Sequence, residues 1–162
     1  CRSKLAPLDL IFSMFTCQKT YSEIPFAHRQ HRHDGHCAKI HGHNWSFTFT
    51  FGCNQLDDCG FVVDFGKLKQ LRTWLEENLD HACVFNQDDP LLETFMNLKD
   101  ENGISVFKSL VVEQCSSEGM ARFLFNVAKP MIQDMTGGRA FLISVTVKED
   151  FRNSATYSPE LD

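Results

Sequence analysis

Large apolar and small polar residues alternate strictly over one stretch in the first third of the chain. Trp45, Phe47, Phe49 and Phe51 occupy every second position, and serine or threonine fills the positions between them. Because successive side chains of a β-strand point to opposite faces of a sheet, this alternation predicts a strand over residues 43–53. One face of that strand is aromatic, and we expect it to be buried.

Weaker patterns predict four further strands. Residues 11–21 are rich in β-formers, residues 104–113 include a short apolar run, and residues 155–157 follow a polar loop. Residues 140–149 alternate clearly. The face predicted for that strand consists of every second residue: Phe141, Ile143, Val145, Val147 and Glu149. Between the first two predicted strands, residues 22–42 contain proline, glycine and many polar groups, which predicts a long loop.

Two segments in the middle of the chain show helical signals. After Asp64, a natural N-cap, apolar residues recur at helical spacing and predict an amphipathic helix. These apolar residues are Phe65, Leu68, Leu71, Leu75 and Leu79. Residues 88–103 predict a second helix, opened by Pro90 and ended by Gly103.

A longer helix follows, with Ser116 or Ser117 as its N-cap, and it extends through Met131. Pro130 should bend or shorten it. Apart from the short strand within residues 104–113, the strands therefore come in pairs at the two ends of the chain, with the helices grouped between them. This order indicates an α+β fold in which helices cover one face of an antiparallel sheet. The length of 162 residues fits a single domain over residues 1–162.

Composition narrows the functional classes. The net charge is −5, with both signs interspersed, so no basic stripe points to nucleic acid or to a membrane surface. No apolar stretch approaches the roughly 20 residues that span a bilayer. Asp9 interrupts the apolar residues 8–12, and we expect no signal peptide there. The seven cysteines are scattered and odd in number, which predicts free thiols in a reducing cytoplasm.

Candidate chemistry is concentrated in the predicted loop and at the start of the aromatic strand. His28 and Cys37 precede the tripeptide His41-Gly42-His43. Since residues two apart in a strand share a face, His41 and His43 should present two imidazoles together. Three imidazoles with an open fourth position are typical of a catalytic zinc site, whereas Cys37 as a fourth ligand would close a structural one. Both alternatives remain open on the spacing alone.

Six short motifs occur in a fixed order along the chain. They are FAHR (26–29), C-x3-HGHN (37–44), G-x-V-x-DF-x-x-LK (60–69), LDH (79–81), SSE (116–118) and VKE (147–149). In this order the chain resembles the 6-pyruvoyl-tetrahydropterin synthase / 6-carboxy-tetrahydropterin synthase family. The resemblance implies the tunnelling fold, a four-stranded antiparallel sheet with helices on one face. It also implies a homohexamer, in which two trimers, each a twelve-stranded barrel, are stacked.

The resemblance also implies a reaction. Three residues separate Cys37 from the HGH motif, as in the bacterial 6-carboxy-tetrahydropterin synthases of queuosine biosynthesis. We therefore expect a zinc-dependent lyase that converts 7,8-dihydroneopterin triphosphate to 6-carboxy-5,6,7,8-tetrahydropterin, with loss of acetaldehyde and triphosphate. The alternatives are the pyruvoyl-forming reaction or a related pterin side-chain cleavage, and a pterin- or zinc-binding module without turnover. Residues 87–115 depart from the family pattern as an insertion that carries the second predicted helix.

Roles for the zinc-site residues follow from the matched motifs. His28, His41 and His43 match the zinc ligands of the family, and Cys37 matches its catalytic cysteine. The other histidines of the predicted loop match nothing and are expected to have no role in the site: His31, His33 and His36.

Roles for the remaining candidates follow in the same way. Asp80 and His81 match an acid–base pair that works with the cysteine across a subunit interface. Glu149 matches the glutamate that holds the pterin ring and belongs to the acid–base system, while Glu118 and Ser117 match a second contact to the pterin edge. Simpler alternatives exist, because Asp80 also ends a predicted helix and Ser117 and Glu118 suit a helix N-terminus.

Overall fold

A mixed sheet of six strands forms the frame of the molecule, which a computed structural model describes over residues 13–160. Its strands are β1 (Phe15–His28), β2 (His41–Cys53), β3 (Ala82–Asn86), β4 (Ser109–Val112), β5 (Ala140–Lys148) and β6 (Ser154–Tyr157). Their order across the sheet is β4-β3-β1-β2-β5-β6. The helices are α1 (Lys69–Asn78), α2 (Leu92–Asn97) and α3 (Ser117–Thr136).

The expectation of a four-stranded antiparallel sheet was wrong. β3 pairs parallel with β1, and β4 pairs parallel with β3, while the remaining pairs are antiparallel. β3 was missed because all five of its residues, Ala-Cys-Val-Phe-Asn, are buried. A strand that is buried on both faces shows no alternation of apolar and polar residues.

The first strand is longer than predicted and runs into the segment predicted as a loop. β1 continues to His28 through a register shift between Tyr21 and Ile24, where Glu23 has a positive φ of 61°. Pro25 lies directly after this bulge, one of the few places in a sheet that accept proline. His28 is therefore held by a strand rather than by a loop. Residues 11 and 12 of the predicted strand lie outside the described residues.

The aromatic face of β2 is buried, as predicted. Its rings pack with apolar side chains of α1 and α3 in one continuous core. The fully buried members include Trp45, Phe47, Phe49, Phe51, Leu75 and Leu124. The Asp64 carboxylate accepts a hydrogen bond from the Gly66 amide at 2.9 Å and caps a short 3-10 turn, so α1 begins only at Lys69.

A second bulge makes the predicted face of β5 partly wrong. Thr50 pairs with Ser144, whereas the next residue, Phe51, pairs with Leu142. The extra residue, Ile143, turns away from the core together with Phe141, and the buried residues of this half of β5 are Ala140 and Leu142.

Residues 87–115 build a small apolar cluster on the other face of the sheet. Phe85 alternates with Ala82 and Val84, which belong to the main core, so its ring points to the opposite side. There it stacks on Phe95 of α2 with 5.1 Å between ring centroids, and it meets Phe107 edge-on at 5.5 Å. The helices are thus not confined to one face, and α2 is shorter than the predicted 88–103.

The third helix agrees with its prediction at the N-terminus. The Ser116 hydroxyl accepts a hydrogen bond from the Gly119 amide at 3.1 Å, which makes Ser116 the N-cap. Pro130 lies inside α3 and does not shorten it, since the helix continues to Thr136. Between residues 13 and 160, no helix has the length and apolar character needed to cross a bilayer.

Six of the seven cysteines fall within the described residues, and all six are free thiols, as predicted. Cys1 and the apolar residues 8–12 lie outside the described range.

The burial of the β2 rings gives a direct stability prediction. Phe49→Ala removes a ring that is 0% exposed, and we expect the free energy of unfolding to fall by about 3–5 kcal/mol. Phe151→Ala is the matched control, because its ring is 85% exposed, and its effect should stay within about 0.5 kcal/mol. Urea unfolding of both variants measures the difference, and equal stabilities would contradict the assignment of the core.

Candidate functional site

Three imidazoles meet where β1 ends and β2 begins. His28 pairs directly with His41 in the antiparallel ladder, and Phe26 pairs with His43. The ring centroids of His28 lie 4.6 Å from His41 and 5.4 Å from His43, and those of His41 and His43 are 5.0 Å apart. One ring nitrogen from each residue lies within 4.8 Å of the other two. The side chains of the HxH motif therefore share a face, as the strand spacing predicted.

The His28 ring has a defined tautomer. Its Nδ1 lies 2.7 Å from the carbonyl oxygen of Cys115, and because a carbonyl can only accept, Nδ1 must carry the proton. Nε2 then holds the free lone pair. This atom is buried and has no hydrogen-bond partner among the described residues. A buried polar atom without a partner requires an explanation, and a bound metal ion would supply one.

Burial also keeps His28 uncharged. The side chain is 3% exposed, and desolvation, assisted by the neighbouring His41 and His43, lowers its pKa to about 4 although the Cys115 carbonyl favours the charged form. A neutral imidazole is the form that binds a metal.

The other two rings are oriented to complete the cluster. His41 Nδ1 lies 2.8 Å from the carbonyl oxygen of Lys39, which again leaves Nε2 with the lone pair. The indole of Trp45 lies under the cluster, edge-on to His28 at 5.0 Å and to His43 at 5.3 Å, and it donates to the Phe26 carbonyl. His41 and His43 are only half-buried. These residues fit a divalent metal ion bound by three nitrogens, with one side open.

The open side faces a cavity of about 720 Å³. This volume is within the range of small-molecule sites. Besides the histidines, its lining includes Cys37, Ser117, Glu118 and Glu149. Cys37 is half-buried in a short 3-10 turn, His36–Ala38, and its carbonyl accepts from the Gln30 amide at 2.8 Å. Its sulfur is not part of the group of ligand atoms within 4.8 Å, so the geometry gives no support to a four-ligand structural site.

The wall opposite the histidines combines the start of α3 with the end of β5. Because Ser116 is the helix N-cap, the Ser117 hydroxyl is free to donate to Glu149 Oε2 at 3.2 Å. The alternative in which Ser117 caps the helix was therefore wrong. Glu118 is exposed in the first turn of α3. Three predicted substrate-binding side chains thus share one cavity with the imidazoles.

Asp80 and His81 lie elsewhere in the chain's own fold, between α1 and β3. His81 has a positive φ of 57°, and its Nδ1 lies 2.8 Å from Asp80 Oδ1. The side chain of His81 is exposed and that of Asp80 is partly exposed. They are absent from the described lining of the histidine cavity, and Asp80 instead lines a second cavity with Lys19 and Arg72 beside the β1 bulge. The single chain does not bring this pair to Cys37.

Sequence reasoning missed the residues that support His28 from behind. From the sequence, Cys115 had no predicted role beyond that of a free thiol, yet its backbone carbonyl orients the imidazole. Asn86 is buried and accepts a hydrogen bond from the Cys115 amide at 2.7 Å. In the sequence, only one feature distinguishes Asn86: it is a polar residue at the end of the otherwise apolar pentapeptide 82–86. It belongs to none of the motifs.

Comparison with known proteins decides the family. The profile of the family described as 6-pyruvoyl tetrahydropterin synthase matches residues 17–160. The chain belongs to this family. A probable 6-carboxy-5,6,7,8-tetrahydropterin synthase of Halobacterium salinarum is 30% identical over 126 residues, which cover 78% of this chain and 75% of that protein. The 6-carboxy-5,6,7,8-tetrahydropterin synthase of Rickettsia conorii is 37% identical over 68 residues, 41% of this chain and 49% of the relative. The match thus spans about half the length of the Rickettsia relative.

Solved structures of other proteins have the same fold as this chain. An uncharacterized protein from Wolinella succinogenes superposes with a TM-score of 0.77 at 20% identity, over 91% of this chain and 99% of that one. The 6-pyruvoyl tetrahydropterin synthase of Plasmodium vivax gives a TM-score of 0.66 at 18% identity, over 92% and 99% of the two chains. At these identities the likeness shows the fold.

The lowered pKa of His28 predicts a pH dependence for the metal-free protein. In the unfolded chain His28 takes up a proton near pH 6.5, whereas the native imidazole takes one up only near pH 4. Protonation of His28 therefore favours the unfolded state, and the stability that the neutral imidazole provides is complete above pH 6.5 and lost as the pH falls toward 4. The loss is on the order of 3 kcal/mol. His28→Gln keeps a donor for the Cys115 carbonyl but does not titrate.

Urea unfolding with a chelator present, at several pH values, measures this effect. The stability of the wild-type protein should fall more steeply between pH 6.5 and 4 than that of His28→Gln. Parallel curves for the two proteins would contradict a neutral, buried His28.

Proposed function

We propose that the chain is a zinc-dependent lyase that converts 7,8-dihydroneopterin triphosphate to 6-carboxy-5,6,7,8-tetrahydropterin and releases acetaldehyde and triphosphate. The observation that carries the proposal is the cluster of three imidazoles, with an unpartnered buried nitrogen on His28, beside a cavity that also holds Cys37 and Glu149. Family membership and the names of the relatives support it. In this proposal the enzyme acts in the cytoplasm, in the precursor pathway of queuosine.

His28, His41 and His43 would hold the zinc ion. When bound there, zinc would act as a Lewis acid that polarises the side-chain oxygens of the substrate and acidifies the adjacent C–H bonds. The chain contributes the preorganisation, because carbonyl oxygens fix the tautomers of His28 and His41 before any metal arrives.

Cys37 is the proposed base. It lines the cavity that the imidazoles face, and its 3-10 turn is fixed by the Gln30 amide. As a thiolate it would take a proton from the substrate side chain, the part of the substrate nearest to the imidazoles.

Glu149 is the proposed anchor for the pterin ring. The amino-pyrimidine edge of a pterin offers two N–H donors, and a carboxylate can accept both in a bidentate arrangement. The Ser117 hydroxyl, 3.2 Å from Oε2, would hold the carboxylate in position. Glu118, in the first turn of α3, would provide a second contact to the ring edge.

Asp80 and His81 would complete the acid–base system from a neighbouring subunit of a homohexamer. The hydrogen bond between His81 Nδ1 and Asp80 Oδ1 leaves His81 Nε2 exposed and able to exchange a proton with a group on another chain. A carboxylate in this position orients the imidazole. The exposure of both side chains agrees with a role across an interface.

The pyruvoyl-forming reaction is the nearest alternative. The three residues between Cys37 and the HGH motif favour the carboxy-forming reaction. A binding module without turnover would have no use for Cys37, Asp80 and His81 together.

Product analysis tests the proposal. The zinc-loaded protein is incubated with 7,8-dihydroneopterin triphosphate, acetaldehyde is quantified, and the pterin is identified by mass spectrometry. We expect acetaldehyde and 6-carboxy-5,6,7,8-tetrahydropterin in equal amounts. A pyruvoyl product without acetaldehyde would establish the alternative reaction, and absence of turnover would contradict an enzyme.

The role of Cys37 predicts a selective loss of activity. Cys37→Ala should keep its zinc content and thermal stability but lose turnover by about 10²–10⁴-fold. Cys59→Ala is the matched control, because Cys59 is an exposed free thiol outside the cavity. Steady-state kinetics give the turnover number of each variant. Wild-type turnover in Cys37→Ala would exclude the thiol as the base.

The ligand role predicts a loss of metal. His41→Ala should lose most of its zinc, because two imidazoles bind the ion far more weakly than three. His33→Ala is the control, since His33 lies in the loop that precedes β2 and is not part of the cluster. Elemental analysis after dialysis gives the zinc content, and full occupancy in His41→Ala would refute the three-histidine site.

A further inference from the structure

We propose that Asn86 is a positioning residue for the metal site, acting on His28 through the backbone of Cys115. The Asn86 side-chain oxygen accepts from the Cys115 amide at 2.7 Å, and the Cys115 carbonyl accepts from His28 Nδ1 at 2.7 Å. All three residues are buried. This inference rests on the proposed metal site and adds to it the residue that fixes the direction of a ligand's lone pair.

The geometry leaves only one orientation for the Asn86 amide. The Cys115 N–H can only donate, so the amide oxygen must face it. The amide nitrogen then points to His31 Nδ1 at 3.2 Å, which accepts its hydrogen. Both ends of the side chain are satisfied, which is the condition under which a buried amide holds a single conformation.

Cys115 is held at a third point as well. Its thiol donates to the carbonyl oxygen of Arg29, the residue after His28, at 3.3 Å. The backbone of Cys115 cannot shift without breaking the bond to Asn86 or the bond to Arg29. Its carbonyl therefore stays directed at His28 Nδ1, and His28 Nε2 stays directed at the cluster.

The position of Asn86 in the fold links the segment 87–115 to the metal site. Asn86 ends β3 and directly precedes the segment 87–115, and Cys115 is the last residue of that segment, so the contact that orients the ligand joins the two ends of the insertion. At its start, Asp89 forms a two-point ion pair with Arg29, at 2.6 and 3.0 Å. The insertion is thereby anchored to His28 and to the residue that follows it.

Zinc affinity is the first test of the proposal, measured by competition with a chromophoric chelator. Asn86→Leu keeps the size of the side chain but removes the acceptor, and its zinc dissociation constant should rise about 10- to 100-fold. Asn86→Asp keeps an acceptor oxygen for the Cys115 amide, and it should recover most of the lost affinity. Phe85→Leu is the matched control, because it weakens packing on the opposite face of the same strand and should bind zinc as the wild type does.

The tautomer of His28 is the second test and needs no metal. Long-range ¹H–¹⁵N spectra of the metal-free wild-type protein should show His28 protonated at Nδ1, and Asn86→Leu should show a mixture of tautomers. This measurement on the wild type stands even if Asn86→Leu does not fold. A wild-type protein that binds no zinc would overturn the metal site, while the comparison of the His28 tautomer in the wild type and in Asn86→Leu would still decide the role of Asn86.

Two results would overturn the proposal. One is a His28 ring protonated at Nε2 in the metal-free wild type. The other is an Asn86→Leu variant that loses thermal stability while its zinc affinity and His28 tautomer remain at wild-type values, which is the outcome of a purely structural role. Failure of Asn86→Asp to recover any affinity would refute the amide oxygen as the group responsible.

Discussion

His28 lies opposite His41 in the ladder between β1 and β2, and the rest of the site depends on that pairing. A slip of one residue between these strands would turn every side chain of the slipped strand to the other face of the sheet. The same register that gathers the imidazoles also buries Phe26, Trp45, Phe47 and Phe49. Burial of each large apolar side chain contributes about 1.5–3 kcal/mol, so the aromatic core is the main stabiliser of this register.

The free-energy cost of keeping the site ready for a metal ion lies mainly in one buried atom. His28 Nε2 is buried without a hydrogen-bond partner among the described residues, and an unsatisfied polar group of this kind costs about 1–3 kcal/mol. The fold tolerates this cost because the opposite ring nitrogen is bound by Cys115, and Cys115 is bound by Asn86 and Arg29. Such an arrangement is typical of a ligand that is aimed before its ion binds.

Residues 87–115 contribute a second core rather than a loose loop. Phe95 and Phe107 cover Phe85 on the face of the sheet that the main helices leave open. Burial alone would raise the pKa of Asp89, but hydrogen bonds from Arg29 and from the Leu91 amide outweigh it and hold the pKa below its usual range. The carboxylate is therefore charged, and it ties the start of the segment 87–115 to the residue that follows His28.

The sequence was informative wherever a pattern is local. The aromatic alternation of β2, the leucine spacing of α1 and the HxH pair could all be read from residues close together in the chain, and the ordered motifs identified the family. Two bulges and a strand buried on both faces could not, because each depends on partners that come from distant segments. The same holds for the contact between Asn86 and Cys115, whose residues are 29 positions apart.

X-ray absorption at the zinc edge of the zinc-loaded protein tests the central claim most directly. Three imidazole nitrogens and one light ligand should give a first shell at about 2.0 Å that contains nitrogen and oxygen only. A sulfur scatterer at about 2.3 Å would place Cys37 on the metal, and the site would then be a closed structural one.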